Sequence, residues 1–453
     1  MSAGKWSNPT SDQIEKWDRQ HVWHAFTQMA EYEPFVIDRA EGCLLFDRQG
    51  NSYVDGVSSI WCNLHGHQHP LIDQALRDQL DRVAHVTSLG MSNSVNITLA
   101  RRLCELAPNG LEHVFFSGDG SSAVEVAIKM AYQYWQQRPD PRPRKTKYIA
   151  FADAYHGDTL GSASVGGIER FHRLFDPLLF DVIHLPIPQT YRVAETVPSD
   201  GLAQHYLDQL EEALRQHHEQ TAAIVIEPLV QCAAGMVTHP TGFLHGVREL
   251  SRRYGVLLIA DEVAVGFGRT GKLFACEHEN VEPDFLCLAK GLTGGYLAMA
   301  ATLTTTEIWN AFLGSYAESK TFFHGHTYGG NPLAAAAGHA TLDIFDSENT
   351  LSAMSPKVEQ LSSALNELAQ HPLVGDTRQV GLIGCVELVA NKQTKEPFHW
   401  ERRIGLQVCQ TALKHGVWLR PLGSVIVIMP PLSISADQLK QITDAIKLGI
   451  DAL

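Results

Sequence analysis

The sequence predicts an α/β protein built on a doubly wound, mainly parallel sheet, and two observations support this fold class. Short apolar runs rich in Val, Ile and Phe recur between residues 113 and 303, as expected for strands that are buried on both faces. Longer segments with apolar residues three and four positions apart lie between these runs, which is typical of helices packed on such a sheet. With 453 residues, 44% of them hydrophobic, the chain is long enough to bury a large core.

The strands of this sheet are predicted at seven apolar runs: 113–117, 147–151, 182–185, 222–226, 256–260, 285–288 and 299–303. Helices are predicted between them over residues 122–135, 202–216 and 242–254. Ligands of such a sheet bind outside the carboxyl ends of its strands. Candidate functional residues are therefore sought directly after these runs.

The two ends of the chain have a different pattern from this central region. A turn signal at residues 47–51 predicts a hairpin, a long helical stretch runs from Pro332 to about Ala369, and a last helix covers residues 435–451. We expect both ends to build one small domain on a large cofactor-binding domain. The expected boundaries are 1–70 and 333–453 for the small domain and 71–332 for the large one.

Composition and charge narrow the class of protein. Fifty acidic residues against 36 basic ones give a formal charge of −14, which argues against nucleic acid or an anionic membrane as a partner. No apolar run reaches the roughly 18 residues of a spanning helix, and the first ten residues do not resemble a secretory signal. Eight scattered cysteines without a C-x-x-C pair predict reduced thiols in a cytoplasmic protein. A cytoplasmic enzyme with small-molecule substrates is the leading interpretation.

Three features predict a pyridoxal phosphate site. Asp261 ends one predicted strand and Lys290 follows the next, so both are expected at the ligand-binding edge of the sheet. A lysine can bind the aldehyde of this cofactor, and a carboxylate can hold its pyridinium nitrogen protonated. Gly120 and Ser121 open the predicted helix 122–135, where free N–H groups and small residues suit a phosphate. A capping Asp and a surface Lys would give the same spacing.

Two other patterns predict no site. Residues 266–272 match most of a nucleotide phosphate loop, but Leu273 stands where Ser or Thr is needed for magnesium. His65, His67 and His69 lack a Cys or Glu at ligand spacing, so no metal is expected.

Glu227-Pro228 is open to two interpretations, an orienting hydrogen-bond acceptor at the site or a plain turn.

The residues 261–271, 288–295 and 323–332 resemble the signatures of class III aminotransferases. The resemblance covers nearly the whole chain and implies the aspartate-aminotransferase fold (fold type I) with pyridoxal 5′-phosphate as cofactor. It also implies a homodimer, because the third segment is similar to a phosphate-binding turn that reaches across the subunit interface in this family.

Further segments resemble one subgroup, the diaminopelargonate synthases of biotin biosynthesis. These segments are 23–29, 55–61, 63–66, 154–159, 269–278 and 418–423. The subgroup resemblance implies transamination of 8-amino-7-oxononanoate to 7,8-diaminononanoate. The alternatives are an ω-amino acid or 4-aminobutyrate transaminase of the same class, and a non-catalytic sensor that binds the cofactor.

The resemblance implies three sets of site residues. The catalytic set is Lys290 as the Schiff-base lysine, Asp261 at the ring nitrogen and Tyr155 against the ring. The phosphate set is Gly120, Ser121, His326 and Thr327. The substrate set is Phe26, Ile60, Trp61, Gly325 and Arg420, with Arg420 taking the carboxylate of the keto substrate through its guanidinium fork.

Two positions depart from the common subgroup pattern and bear on the amino donor. Phe26 stands where Tyr is usual, and Ile60 stands where Trp is usual. S-adenosylmethionine gains from aromatic faces for its adenine and its sulfonium, whereas the slender stem of lysine needs none. The two departures therefore favour lysine over S-adenosylmethionine, although Trp61 offers a substitute aromatic face.

Overall fold

The computed structural model describes residues 9–193 and 196–453, so the predicted segment 1–70 begins outside the described residues. Its strands, in chain order, are β1 Ile37–Glu41, β2 Leu44–Asp47, β3 Ser52–Asp55, β4 Leu111–Ser117, β5 Lys147–Phe151, β6 Val182–Leu185, β7 Thr221–Ile226, β8 Val230–Gln231, β9 Val237–Thr238, β10 Leu257–Asp261, β11 Phe285–Leu288, β12 Ala300–Thr305, β13 Val374–Val380, β14 Ile383–Asn391, β15 Glu396–Pro397, β16 Val417–Trp418, β17 Pro421–Leu422 and β18 Val425–Ile428.

The α-helices alternate with these strands over most of the chain. In chain order they are α1 Ser11–His21, α2 Ser58–Trp61, α3 Pro70–Leu80, α4 Ser94–Leu106, α5 Gly120–Gln137, α6 Leu160–Val165, α7 Glu169–His172, α8 Leu202–His217, α9 Phe243–Arg253, α10 Thr306–Ala311, α11 Pro332–Ser347, α12 Thr350–Leu368, α13 Ile404–Lys414 and α14 Ala436–Asp451.

A seven-stranded sheet forms the centre of the molecule, in the order β4-β12-β11-β10-β7-β5-β6. All seven apolar runs identified in the sequence are strands of this sheet. Pairing is parallel from β11 through β6, and only β12 runs antiparallel to its two neighbours. The prediction of a mainly parallel sheet in an α/β fold is therefore confirmed. The strands other than β12 all end at the same edge.

Burial explains why these runs form central strands. Every residue of β7, β10 and β11 is buried, because helices cover both faces of a sheet of this kind. Helix α5 packs there through Val124, Ala127, Ala131 and Trp135. It begins after Asp119, whose carboxylate accepts the N–H of Ser122 as an N-cap. The buried face of α5 and its N-cap at Asp119 together place the start of this helix next to the end of β4.

The two ends of the chain meet in a separate four-stranded sheet, β1-β2-β3-β16. The predicted hairpin is confirmed as β2 and β3, and β16 from the C-terminal part pairs in parallel with β3. A second sheet, β13-β14-β18-β17, comes from the C-terminal part alone. These sheets agree with a small domain built from both ends, while its boundaries at residues 70 and 332 stay a prediction.

One element differs from the prediction. The helical stretch from Pro332 to about Ala369 is two helices, α11 and α12, and not one. Asn349 between them has a left-handed backbone with φ of +49°, a conformation that Asn tolerates but that ends a right-handed helix. Both helices have the same spacing of apolar residues, so the sequence pattern alone did not reveal the break at Asn349.

Two further features bear on the predicted class of protein. Within residues 9–193 and 196–453, no helix is both long and apolar enough to cross a membrane. All eight cysteines lie in the described residues, and all are free thiols.

Candidate active site

A cavity of about 740 Å³ opens at the edge of the seven-stranded sheet where its parallel strands end. Its lining comes from the segments that follow β4, β5, β7, β10 and β11, together with one residue pair from the end of α2. The residues used below are Trp61, Gly120, Ser121, Tyr155, His156, Glu227, Asp261 and Lys290. This is the position at which an open α/β sheet binds its ligand.

Asp261 and Lys290 reach this cavity from neighbouring strands. Asp261 is the last residue of β10 and pairs with Cys287 in β11, three positions before Lys290. The backbone of Lys290 is left-handed, with φ of +43°, and departs from the extended path of β11. The ladder of the sheet therefore brings an acid and an amine, 29 positions apart in the chain, to one cavity.

Asp261 is buried and held by two hydrogen bonds. The ring of His156 donates from Nδ1 to Oδ2 at 2.7 Å, and the N–H of Val263 donates to Oδ1 at 3.0 Å. Burial by itself lowers the pKa of His156, but the hydrogen bond to Asp261 and the charges of Asp261 and Glu227 outweigh it and leave that pKa raised. The hydrogen bond from His156 thus stabilises the negative charge of Asp261.

Glu227 is a fully buried carboxyl group directly after β7. Its Oε1 accepts the N–H of Tyr155 at 3.0 Å, and its Oε2 accepts the N–H of Cys232 at 2.9 Å. Burial raises the pKa of Glu227 to about 7, against the opposing charge of His156. One carboxyl group therefore connects the segment after β5 to the segment after β7. The sequence left Glu227 open to two interpretations, a hydrogen-bond acceptor that orients the site or a plain turn residue. The two contacts show that Glu227 accepts hydrogen bonds at the site.

The start of α5 forms a narrow polar recess. The first N–H groups of a helix have no partner within the helix, and they favour an anion. A Cβ on Gly120 would lie 2.5 Å from Val263, and a Cβ on Gly157, where φ is +117°, would lie 2.3 Å from Ser121 Oγ. The N–H of Thr159 donates to that same Oγ at 3.0 Å. A Cβ at either position would collide with these neighbours, so only glycine lets the segments after β5 and β10 pack this closely around the start of α5.

Two aromatic residues face the cavity from different parts of the chain. The hydroxyl of Tyr155 donates to Asp158 at 2.6 Å, and burial, followed by this hydrogen bond, raises the pKa of Tyr155. The ring centroid of Trp61 lies 5.2 Å from the Nζ of Lys290, within the range of a cation–π contact. An aromatic ring thus stands beside the reactive amine.

The segment with the nucleotide-loop pattern has another use. Arg269 within it is 1% exposed and donates to the carbonyl oxygens of Trp61, Asn63 and Pro430. Burial lowers the pKa of Arg269 to about 10. Its guanidinium therefore ties the backbone that carries Trp61 to the C-terminal part of the chain. Through Arg269, residues 266–272 stabilise the packing of these two parts of the chain.

The remaining predicted residues lie away from the cavity lining of a single chain. Gly325, His326, Thr327 and Arg420 are exposed. Phe26 is 57% exposed, and its ring centroid lies 6.4 Å from that of Tyr155. Ile60 is 37% exposed and precedes Trp61 in a stretch with left-handed backbone. One chain therefore brings the predicted catalytic residues together with Gly120, Ser121 and Trp61. It does not bring Phe26, Ile60, the segment 325–327 or Arg420 into the cavity lining.

His156 is a site residue that sequence reasoning missed. It follows Tyr155 and comes soon after a predicted strand that ends at the same edge as Asp261. Knowing that this strand, β5, pairs with β7 would have indicated that His156 lies near Asp261. The contact itself depends on strand order, which periodicity does not reveal.

Comparisons with known proteins add to this geometry. The sequence profile of the family Aminotransferase class-III matches residues 27–450. A relative from Nitratidesulfovibrio vulgaris, named adenosylmethionine-8-amino-7-oxononanoate aminotransferase, is 51% identical over 96% of this chain and 81% of its own.

Two solved structures have the same fold. One is the adenosylmethionine-8-amino-7-oxononanoate aminotransferase of Methanocaldococcus jannaschii, with a TM-score of 0.92, 43% identity and 98% and 99% of the two chains covered. The other is an amine transaminase from an uncultivated Pseudomonas species in a PLP-bound form, with a TM-score of 0.90, 33% identity and 95% and 98% covered.

Proposed function

The chain belongs to the class III aminotransferases, and from that premise we propose that it transfers an amino group from adenosylmethionine to 8-amino-7-oxononanoate, giving 7,8-diaminononanoate for biotin biosynthesis. The observation that carries the transfer chemistry is the meeting of Asp261, Lys290 and the start of α5 at one cavity. The observation that carries the substrate is 51% identity to a relative with that name over 96% of the chain.

Enzymes of this class use pyridoxal phosphate, and the cavity fits it. A buried carboxylate, an amine and a helix start that all line the cavity match its ring nitrogen, aldehyde and phosphate. The cofactor supplies an electron sink for the carbanion formed at the substrate carbon.

The protein's own residues divide the remaining work. We assign the phosphate to the N–H groups of Gly120 and Ser121 and the ring nitrogen to Asp261, whose negative charge His156 stabilises. Lys290 would hold the cofactor through its amine, and the same amine would serve as the base that moves the proton at the reacting carbon of the substrate. Tyr155 and Trp61 restrict the ring and the substrate from the sides.

We further propose that the enzyme works as a two-fold dimer in the cytoplasm. His326 and Thr327 are exposed in one chain, so they serve a phosphate only if a second copy brings them to its site. The same argument applies to Gly325. Arg420, also exposed, is assigned to the carboxylate of 8-amino-7-oxononanoate.

Adenosylmethionine is preferred over lysine as donor because the relatives described above are named for it. The substitutions at Phe26 and Ile60 favour lysine, but Trp61 lines the cavity and offers the aromatic face that Ile60 lacks. The test mixes the holoenzyme with each donor alone and follows the loss of the cofactor's visible absorbance. Rapid loss with lysine and none with adenosylmethionine would reverse the donor assignment.

A transaminase for ω-amino acids or other amines is the second candidate, supported by the 33% identical amine transaminase of the same fold. Steady-state turnover separates the two. We expect efficient turnover with 8-amino-7-oxononanoate as acceptor and little with pyruvate or 2-oxoglutarate. The reverse ranking would favour the second candidate.

A further inference from the structure

Phe171 belongs to a group of three aromatic rings, of which Tyr155 lines the cavity. Its ring centroid lies 5.1 Å from that of Phe26 and 6.2 Å from that of Tyr155, both in edge-on arrangements. Phe26 and Tyr155 are themselves 6.4 Å apart. We call these three residues the aromatic cluster. Phe26 is 57% exposed and Phe171 is half-buried, so the cluster presents aromatic surface that a ligand can contact.

The backbone around Phe171 is fixed against the segment that carries Tyr155. The N–H of Gly167 donates to the carbonyl of Ala154 at 2.8 Å. A Cβ on Gly167 would lie 2.6 Å from the N atom of Asp153, so the two segments touch backbone to backbone. The short helix α7, which holds Phe171, starts directly after this contact. Its position therefore follows the end of β5.

The far end of α7 is anchored as well. His172 is buried, and a Cβ on Gly166 would lie 2.6 Å from its Cε1. The backbone that carries Phe171 is thus fixed on both sides, by the contact at Gly167 and by the buried His172. A ligand that stacks on a ring held in this way orders little additional protein, which favours binding.

We infer that Phe171 determines donor specificity, by giving adenosylmethionine an aromatic surface in addition to that of Trp61. This inference rests on the proposed function. Adenine stacks on aromatic faces, and the sulfonium is a cation attracted to them. The aliphatic stem of lysine and the chain of 8-amino-7-oxononanoate need only an apolar wall, which any large aliphatic side chain supplies. Phe171 should therefore affect the binding of adenosylmethionine and not that of 8-amino-7-oxononanoate.

The test compares Phe171→Leu, Phe171→Tyr and the wild type as holoenzymes. The measured quantity is the adenosylmethionine concentration that gives half the maximal rate of the donor half-reaction. We expect Phe171→Leu to raise it about tenfold, because an aromatic contact and part of a cation–π contact are lost. Phe171→Tyr keeps the aromatic face and should stay within about twofold of the wild type.

Two controls isolate the donor effect. Phe175→Leu changes a half-exposed ring in the next turn, which contacts no aromatic ring among the described residues, and it should leave the value unchanged. The reverse half-reaction with 7,8-diaminononanoate should be equally fast in Phe171→Leu and the wild type, because Leu keeps the apolar wall. It also shows that the variant is folded and holds its cofactor.

The outcomes separate this inference from the proposed function. A wild type that does not react with adenosylmethionine overturns the donor assignment and the inference with it. A wild type that reacts, together with an unchanged Phe171→Leu, overturns the inference alone. Equal loss in both half-reactions also overturns it, because Phe171 would then serve the fold and not the donor.

Discussion

The floor of the cavity and its rim are built in different ways. The floor consists of Asp261, Lys290, His156 and Glu227, which follow strands of one sheet and are buried or half-buried in a single chain. The residues predicted for the rim are Phe26, Ile60, the segment 325–327 and Arg420, which come from loops and chain ends and are largely exposed. Backbone ladders place the floor, whereas the proposed rim depends on loops and, under the proposed dimer, on a second chain.

The largest effect is expected from Lys290→Ala on the floor. It removes the amine that we propose to hold the cofactor and to move the proton, so turnover should fall by about 10⁴-fold or more. Steady-state rates with saturating substrates measure this loss. The melting temperature should change little, because Lys290 lies after the end of β11.

Lys272→Ala is the matched control, since Lys272 is exposed and donates to a backbone carbonyl in the following segment. Its turnover should equal that of the wild type. Wild-type transamination by Lys290→Ala would contradict the cofactor assignment.

The second prediction concerns the charge behind the floor. Asp261→Asn keeps the shape but removes a buried carboxylate, and turnover should fall by about 100-fold, since hydrogen bonds to charged groups are worth a few kcal/mol. His156→Gln leaves the carboxylate in place and should lose only about tenfold. Equal losses in the two variants would show that His156 does more than support Asp261.

The third prediction tests the rim. Thr327→Ala should weaken cofactor retention by about tenfold, as expected for one lost hydrogen bond to a charged group. Dialysis followed by measurement of the bound cofactor gives this value.

Complementation then shows whether the rim comes from a second chain. Co-expressed Lys290→Ala and Thr327→Ala chains should recover about a quarter of wild-type sites, because half of randomly formed dimers are mixed and each mixed dimer has one intact site. No recovery in the mixture would argue for self-contained subunits.

The last prediction is a pH dependence of stability at Glu227. Burial raises its folded pKa to about 7, above the ordinary value near 4.5, so the folded state binds this proton more tightly than the unfolded state. The stabilisation is fully present below pH 4.5 and is lost as pH rises through 7. The raised pKa of His156 acts in the same direction.

Glu227→Gln removes this titration. The free energy of unfolding of the variant, relative to the wild type, should therefore increase between pH 5 and pH 7, by up to about 2 kcal/mol at 1.4 kcal/mol per unit. Denaturant unfolding at several pH values measures it. A constant difference across this range would mean that Glu227 is already ionised at pH 5.

The sequence by itself determined the seven central strands, the helix that opens at Gly120 and the carboxyl-end positions of Asp261 and Lys290. It could do so because burial on both faces leaves a continuous apolar run, and because ligands of an open parallel sheet bind where its strands end. The tertiary structure alone decided strand order, and with it the hydrogen bond between His156 and Asp261 across 105 positions. It also decided the break at Asn349, the use of Arg269 as a tie and the nearness of Phe171 to Tyr155. All of these features depend on which distant segments pack together. The local spacing of apolar residues does not specify that packing.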